Sequence, residues 1–217
     1  MPKAQKATMK SSTSSKASDN YLFFWKPDEE NGWASQWYPS QFTLEVSFPG
    51  SETTESSSSE TVKECTFPSA EHYMMFRKAL LFKDTSIADL VLSPAYSGTS
   101  KSNLAKIKAL GREVANFDEQ EWQAHRYQIV LDGNLAKFRQ DLELKEKLFG
   151  TGSRKHVEAS PRDRIWGIGY GHVSAANMVD TMDGEGREPE KWGLNLLGKA
   201  LDETRKILRE EDASRNV

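Results

Sequence analysis

The sequence of 217 residues predicts a single α+β domain that is rich in helices and begins with a small N-terminal β-sheet. Its length fits one domain of roughly 100–200 residues with tails. Alternating apolar residues, which are typical of strands, occur before residue 68, and helical spacing of apolar residues dominates after residue 69. The single cysteine, Cys65, excludes an internal disulfide and a zinc site built on several cysteines.

The chain is predicted to consist of one domain between two tails. Residues 1–19 are rich in Ser, Thr and Lys without apolar periodicity, which indicates a disordered leader. The domain is expected over residues 20–209, with a flexible insertion at 50–61, and residues 210–217 are expected to form a C-terminal tail. Because neither a secretory signal nor an apolar run of ~18 residues is found, we expect a protein of the cytoplasm or nucleus without membrane contact. We also expect a monomer.

Charge is unevenly distributed, although the net charge is only −3. Residues 1–18 carry four lysines and no acid, and residues 51–61 carry three glutamates and no base. The remaining chain is mildly acidic, which disfavours non-specific DNA binding, because that binding depends on neutralising phosphates with Lys and Arg. Nucleic-acid recognition would therefore be expected in a local pocket or at the lysine-bearing tail.

Three strands are predicted from apolar runs between turn signals. The first is Tyr21–Trp25, and Asn31-Gly32 is a turn signal after it. The second is Phe42–Phe48, whose apolar residues alternate, and Val62–Phe67 is the expected returning strand of a hairpin.

Six helices are predicted from helical spacing and capping residues. The clearest start is Asp118, because Glu121 follows at capping-box spacing. The expected helices run from Ser69 to about Phe82, from Ser86 to Leu92, from Ser100 or Ser102 to about Gly111, from Asp118 to about residue 139, from Asp141 to Phe149, and from Asn195 to about Arg209.

Two segments carry candidate chemistry. Glu71 and Lys78 are seven residues apart on one helix, so their side chains project from nearly the same face. They are either a capping glutamate with a solvated lysine or a carboxylate and an amine that converge on a pocket. Glu158 and Asp163 precede Trp166-Gly167, where a glycine allows close backbone approach to a ligand or simply forms a turn packed by the tryptophan.

Aromatic and histidine residues are less informative by themselves. Trp25, Trp33 and Trp37 form either a core wall or a stacking platform. The four histidines show no spacing typical of metal ligands, so no metal site is expected.

Taken in order, several segments resemble the NADAR family (NAD- and ADP-ribose-associated), also called YbiA-like proteins. The resemblance covers about residues 22–208. It is carried by Phe24-Trp25, Gly32, Ser35-Gln36-Trp37-Tyr38-Pro39-Ser40-Gln41-Phe42, Phe67-Pro68-Ser69-Ala70-Glu71-His72-Tyr73, Lys78, Leu110-Gly111-Arg112, Trp122, Glu158, Asp163-x-x-Trp166-Gly167 and Leu194-Asn195-Leu-Leu-Gly198. Gln36 stands where the family usually has Asn, so a contact of that amide is expected to shift.

The resemblance implies an N-glycosidase that needs no cofactor and no metal. The leading hypothesis is hydrolysis of the ribose C1–N bond of ADP-ribosylated guanine in nucleic acid. One alternative is removal of phosphoribosylaminopyrimidine intermediates of riboflavin biosynthesis, and another is a non-catalytic ADP-ribose or NAD sensor.

The resemblance also implies which residues form the site. Glu71 would transfer a proton, Lys78 would act as a cationic donor or form a Schiff base with the opened ribose, and Asp163 would polarise the ribose or orient water. The expected substrate-binding residues are Phe24, Trp25, Gly32, Gln36, Trp37, His72, Tyr73, Arg112, Trp122, Glu158, Trp166 and Gly167.

Overall fold

The computed structural model describes residues 16–48, 61–182 and 188–215. In these ranges seven α-helices surround two small sheets, which confirms the α+β class. The strands are β1 (Tyr21–Phe24), β2 (Phe42–Phe48), β3 (Thr61–Phe67) and β4 (Lys155–Glu158). The helices are α1 (Ala70–Leu81), α2 (Thr85–Leu92), α3 (Lys101–Glu113), α4 (Glu119–Gln140), α5 (Leu142–Gly150), α6 (His172–Asp180) and α7 (Leu196–Arg215).

The strands form two separate two-stranded sheets. Strands β2 and β3 pair antiparallel as the predicted hairpin, with Phe42 opposite Phe67. Strand β1 pairs in parallel with β4, so Tyr21 lies opposite Lys155 and Phe24 opposite Glu158. The parallel pairing connects the beginning of the domain to its last third.

Strand β1 is buried on both faces, because a hydrophobic cluster lies on each side of it. Leu22 and Phe24 face the main core formed largely by helices α1, α4 and α7. Tyr21 and Phe23 face a smaller cluster with Ile168 and residues of α6. Successive side chains of a strand point to opposite faces, which explains why all four residues are buried.

The ends of the domain lie outside the predicted limits of 20 and 209. Residues 17–20 form a 3-10 turn, and the Ser18 N–H and hydroxyl donate to the Asp180 carboxylate at 2.8 and 3.1 Å. Helix α7 continues to Arg215, where the carboxylates of Glu211 and Asp212 pair with cations of α4 and α5. The prediction of tails was therefore wrong for residues 16–19 and 210–215.

Two elements were not predicted, β4 and α6. The predicted insertion at 50–61 lies outside the described residues apart from Thr61, which begins β3. No helix among the described residues is both long enough and apolar enough to cross a membrane.

Gly198 provides a test of the contact between α7 and β4. A Cβ atom there would collide with the His156 carbonyl oxygen and with the Asn195 amide. We expect Gly198→Ala to lower the free energy of unfolding by about 2 kcal/mol, the usual scale for overpacking, as measured by urea denaturation. Gly150→Ala is the matched control, since a Cβ at that helical position meets nothing within 4 Å. Equal stability of the two variants would contradict this packing.

Candidate active site

A cleft with two adjacent lobes that share part of their walls lies between helices α1 and α3 and the loop after β4. The inner lobe has a volume of about 730 Å³ and is lined by Ser35, Gln36, Trp37, Glu71, Met74, Met75, Lys78, Lys108, Gly111, Arg112, Trp122, Glu158, Asp163, Trp166 and Leu197. The outer lobe, of about 1250 Å³, is lined by Trp25, Lys26, Pro27, Asp28, Ser35, Trp37, Thr99, Lys101, Leu104, Lys108, Glu158, Ser160, Arg162 and Asp163. Five residues border both lobes: Ser35, Trp37, Lys108, Glu158 and Asp163.

Glu71 reaches the inner lobe from the first turn of α1. Its backbone N–H donates to the Gln36 carbonyl at 3.0 Å, which joins the helix to the segment that carries Trp37. The side chain is only 3% exposed, and Oε1 has no hydrogen-bond partner in the described structure. Burial raises the pKa of Glu71 to about 7, opposed by Lys108 and the Trp37 side chain. The carboxyl therefore exchanges its proton near neutral pH.

Glu158 enters the cleft from the end of β4. Its N–H donates to the Asn195 Oδ1 at 3.0 Å, and its carbonyl accepts from Ile168 at 3.0 Å. Its Oε2 is buried and has no partner among the described residues. Burial, together with the nearby carboxyls of Asp163 and Glu71, raises the pKa of Glu158 to about 8, with Lys108 opposing. At neutral pH this carboxyl is mostly protonated.

Asp163 borders both lobes from the loop after β4. Its Oδ1 accepts the N–H groups of Ile165 and Trp166, each at 2.8 Å. These two bonds fix the carboxylate relative to the tryptophan that lines the inner lobe.

Lys78 borders the inner lobe two turns along α1 from Glu71. Its Nζ donates to the Gly111 carbonyl at 2.6 Å and lies 4.1 Å from the centre of the Phe117 ring and 5.5 Å from that of Trp122. Burial lowers the pKa of this amine, while the Glu119 carboxylate opposes the change. A lysine with a lowered pKa is a better nucleophile at neutral pH.

A fully buried lysine on α4 supports the wall of the cleft. The Lys137 Nζ donates to the carbonyls of Trp33 and Ser35 at 2.8 and 3.3 Å. Burial lowers its pKa to about 7, with Asp141 opposing. On the same helix, the Asn134 amide donates to the Gln36 side chain at 3.3 Å. Helix α4 thus holds the loop that carries Gln36 and Trp37.

Ten of the fifteen predicted site residues line the cleft. Nine border the inner lobe, namely Gln36, Trp37, Glu71, Lys78, Arg112, Trp122, Glu158, Asp163 and Trp166. Trp25 borders the outer lobe. Trp33, in contrast, packs edge-on against Phe138 and His156 and forms part of the core wall.

The other five predicted site residues do not line either lobe, which corrects their expected contact with substrate. Phe24 and Tyr73 lie in the main core, and Tyr73 packs edge-on against Phe67. His72 is fully buried, and its ring nitrogens are hydrogen-bonded to the Ser69 hydroxyl and the Tyr96 carbonyl at 2.8 and 2.9 Å.

The two glycines among these five residues allow close backbone contacts and do not contact a ligand. A Cβ at Gly32 would strike the carbonyls of Lys26 and Pro27, and one at Gly167 would lie 2.7 Å from the Glu158 carbonyl. Gly167 therefore allows the loop to close over the strand that carries Glu158.

Sequence analysis missed several residues that line the cleft, above all Lys108. Lys101, Lys108 and Arg112 stand at positions i, i+7 and i+11, which share one face of a helix. This spacing was the sequence pattern from which the role of Lys108 in the cleft could have been predicted. Within the described ranges, no group of three or more His, Cys, Asp or Glu side chains is placed to hold a metal ion.

The raised pKa values predict that stability falls as pH rises. Between about pH 4.5 and 8 the folded chain keeps protons on Glu71 and Glu158 that the unfolded chain releases, so folding becomes less favourable through this range. We expect Glu158→Gln to gain about 2 kcal/mol relative to the unmodified protein between pH 5 and pH 8.5, measured by urea denaturation at each pH. The exposed Glu146→Gln serves as control, and parallel curves for all three proteins would contradict the burial of this charge.

Comparisons with known proteins agree with this architecture. The NADAR domain model matches residues 23–209. The chain is 37% identical over 187 residues to N-glycosidase R617 of Acanthamoeba polyphaga mimivirus, which covers 84% of this chain and 93% of the relative. It is 26% identical over 189 residues to the riboflavin biosynthesis protein VVA0006 of Vibrio vulnificus, which covers 87% of this chain and 39% of that protein.

The fold is also similar to a solved structure. The NMR structure of the E. coli protein YbiA superposes with a TM-score of 0.58 at 22% identity and covers 90% of this chain and 88% of that chain. The family model matches most of the chain, and the mimivirus relative is similar over almost its whole length. The chain therefore belongs to the NADAR family.

Proposed function

We propose that this protein hydrolyses the bond between ribose C1 and the base nitrogen of ADP-ribosylated guanine in nucleic acid. N-glycosidase activity follows from membership of the NADAR family and the similarity to relatives named N-glycosidases. The observation that carries the proposal is the inner lobe itself, where two buried carboxyls and a half-buried lysine border one cavity. Its continuation into a larger outer lobe supports a substrate bigger than one nucleotide.

The carboxyl pair supplies an acid and a base. Breaking an N-glycosidic bond builds positive charge on the ribose and negative charge on the leaving nitrogen. Glu158, which keeps its proton at neutral pH, donates it to the leaving nitrogen. Glu71, whose pKa is near 7, is ionised in a fraction of the protein molecules at neutral pH, and in that form it receives a proton from the attacking group. Asp163 lies at the junction of the lobes and stabilises the cationic ribose.

Lys78 is the nucleophile in this proposal. Ring opening moves the N–H proton of the glycosylamine to the ring oxygen and leaves C1 as an imine of the departing amine; Lys78 then gives a proton to Glu71 and adds to that carbon as the neutral amine. The base amine then leaves with a proton from Glu158, and water hydrolyses the lysine imine to release the aldehyde of ADP-ribose and regenerate Lys78. Glu71 and Lys78 are about 10.5 Å apart along the axis of α1, which leaves space for a ribose between their side chains.

A second candidate substrate is the phosphoribosylaminopyrimidine of riboflavin biosynthesis. It is favoured by the similarity to the Vibrio vulnificus protein, whose name assigns it to that pathway. This substrate has one phosphate and one ring, and it would need the inner lobe alone.

A parallel assay separates the candidates. We expect the protein to release ADP-ribose from an oligonucleotide with ADP-ribosylated guanine, and to release ribose 5-phosphate from the phosphoribosylaminopyrimidine at least tenfold more slowly, since the second substrate leaves the outer lobe empty. Chromatography of the products gives both rates. The reverse order of rates would assign the riboflavin intermediate, and tight binding of ADP-ribose without turnover of either substrate would indicate a sensor.

Substitution of the two α1 residues tests the mechanism. We expect Glu71→Gln to lower kcat by about 10²- to 10⁴-fold, because it removes a proton-transfer group. Lys78→Ala and Lys78→Arg should both lose activity, because neither forms an imine, and borohydride should trap a covalent adduct only where Lys78 is present. Lys106→Ala, an exposed substitution that borders neither lobe, is the control. Full rates in both Lys78 variants without a trapped adduct would make Lys78 a structural residue.

A further inference from the structure

We propose that the outer lobe binds a nucleoside through its diphosphate, and that Lys101, Arg162 and Trp25 recognise it. The inference rests on the proposed function for the identity of the reacting ribose. Beyond its junction with the inner lobe at Glu158 and Asp163, the outer lobe borders neither Glu71 nor Lys78, whereas the inner lobe contains both. What it binds is therefore a part of the substrate that does not react, and the binding energy gained there positions the part that does.

A row of cations on α3 connects the two lobes. Lys101, Lys108 and Arg112 share one face of the helix and are separated along its axis by about 10.5 and 6 Å. Lys101 borders the outer lobe, Arg112 the inner lobe and Lys108 both. A ligand that passes from one lobe to the other therefore passes Lys108.

These cations are free to bind an anion. In the described structure none of the three has an ion-pair partner or a side-chain hydrogen bond, in contrast to Lys26, which pairs with Glu29 at 2.6 Å. Arg162 adds a guanidinium to the outer lobe, and its planar donors match two phosphate oxygens. Two linked phosphates fit this arrangement better than one, because the cations extend beyond the junction into the outer lobe.

The aromatic wall of the outer lobe fits a nucleobase. Trp25 is half-buried and borders this lobe, while Lys26 covers its ring at 4.0 Å from the ring centre. Pro27 and the buried Leu104 add apolar surface beside it. Aromatic rings stack on bases of any sequence, so this wall suits the base of a nucleoside joined to the phosphates.

The strand that carries the modified guanine is a less suitable occupant of this lobe. Binding a strand requires cations that track its backbone along a groove. The outer lobe is also lined by the acidic side chains of Asp28 and Asp163, which repel a string of phosphates. A single diphosphate between Lys101 and Arg162 avoids most of that repulsion.

The test measures binding of reaction products to the full chain by calorimetry. The probes are ADP-ribose, ribose 5-phosphate and an unmodified single-stranded oligonucleotide that contains guanine. We expect tighter binding of ADP-ribose than of ribose 5-phosphate. Lys101→Ala and Trp25→Ala should each weaken ADP-ribose binding about tenfold and leave ribose 5-phosphate binding within about twofold. Lys106→Ala, on the same helix but outside both lobes, should change neither.

Each other outcome overturns the proposal. The proposal is wrong if the variants weaken the binding of both small ligands equally or of neither, or if the unmodified protein does not prefer ADP-ribose. It is also wrong if only oligonucleotide binding falls, which would assign the lobe to the nucleic-acid strand. Lys101 is exposed, so its variant provides the answer even if Trp25→Ala does not fold. Because no probe is hydrolysed, failure of the activity assay leaves this binding result standing, and failure of the subsite proposal does not contradict the proposed activity.

Discussion

The burial of two carboxyl groups beside one cavity is the constraint on which the site depends. Burial disfavours the ionised forms of Glu71 and Glu158, and the Asp163 carboxyl adds repulsion to each, so their protons are retained to unusually high pH. Such a pair is unfavourable for folding at neutral pH, and it persists only because strong local structure fixes both residues. For Glu71 that structure is the first turn of α1 and its bond to the Gln36 carbonyl. For Glu158 it is strand β4 and the Asn195 side chain.

Bringing these residues together requires long-range pairing. The parallel contact of β1 with β4 places the loop that follows β1 beside the loop that follows β4, although more than a hundred residues separate them. Asn195 has a positive φ of 50° and bonds both the His156 carbonyl and the Glu158 N–H. The buried Lys137 then fixes the loop between β1 and β2 from the opposite side. The geometry of the cleft is therefore a product of contacts between remote segments.

The site was predictable where one helix carries it. Glu71, Met74, Met75 and Lys78 occupy positions i, i+3, i+4 and i+7 of α1, and all four line the inner lobe. His72 and Tyr73 lie on other faces of that helix and point into the structure behind it, as periodicity alone requires. The family motif places His72 and Tyr73 next to Glu71 in the sequence, whereas the helix period directs their side chains away from the inner lobe.

The rest was not predictable, because its cause lies in distant contacts. Strand β4 has only four residues, and the segment Lys155–Glu158 has neither a long apolar run nor a clear alternation. Its strand conformation depends on pairing with β1, which no local pattern reveals. Helix α6 is similarly short, and its buried residues Ala175 and Val179 give too weak a pattern to identify it.

Lys108 couples the protonation of the two carboxyls to the ligand that is bound in the cleft. Its ammonium group is exposed, borders both lobes and lowers the pKa of Glu71 and of Glu158. A phosphate bound against Lys108 offsets that positive charge and adds negative charge near the carboxyls. Both effects raise the pKa of the two carboxyls, so a phosphorylated ligand increases the protonated fraction of Glu158, the proposed acid, and lowers the ionised fraction of Glu71, the proposed base. The position of Lys108 between the lobes thereby increases the protonated fraction of the proposed acid when a substrate occupies the cleft.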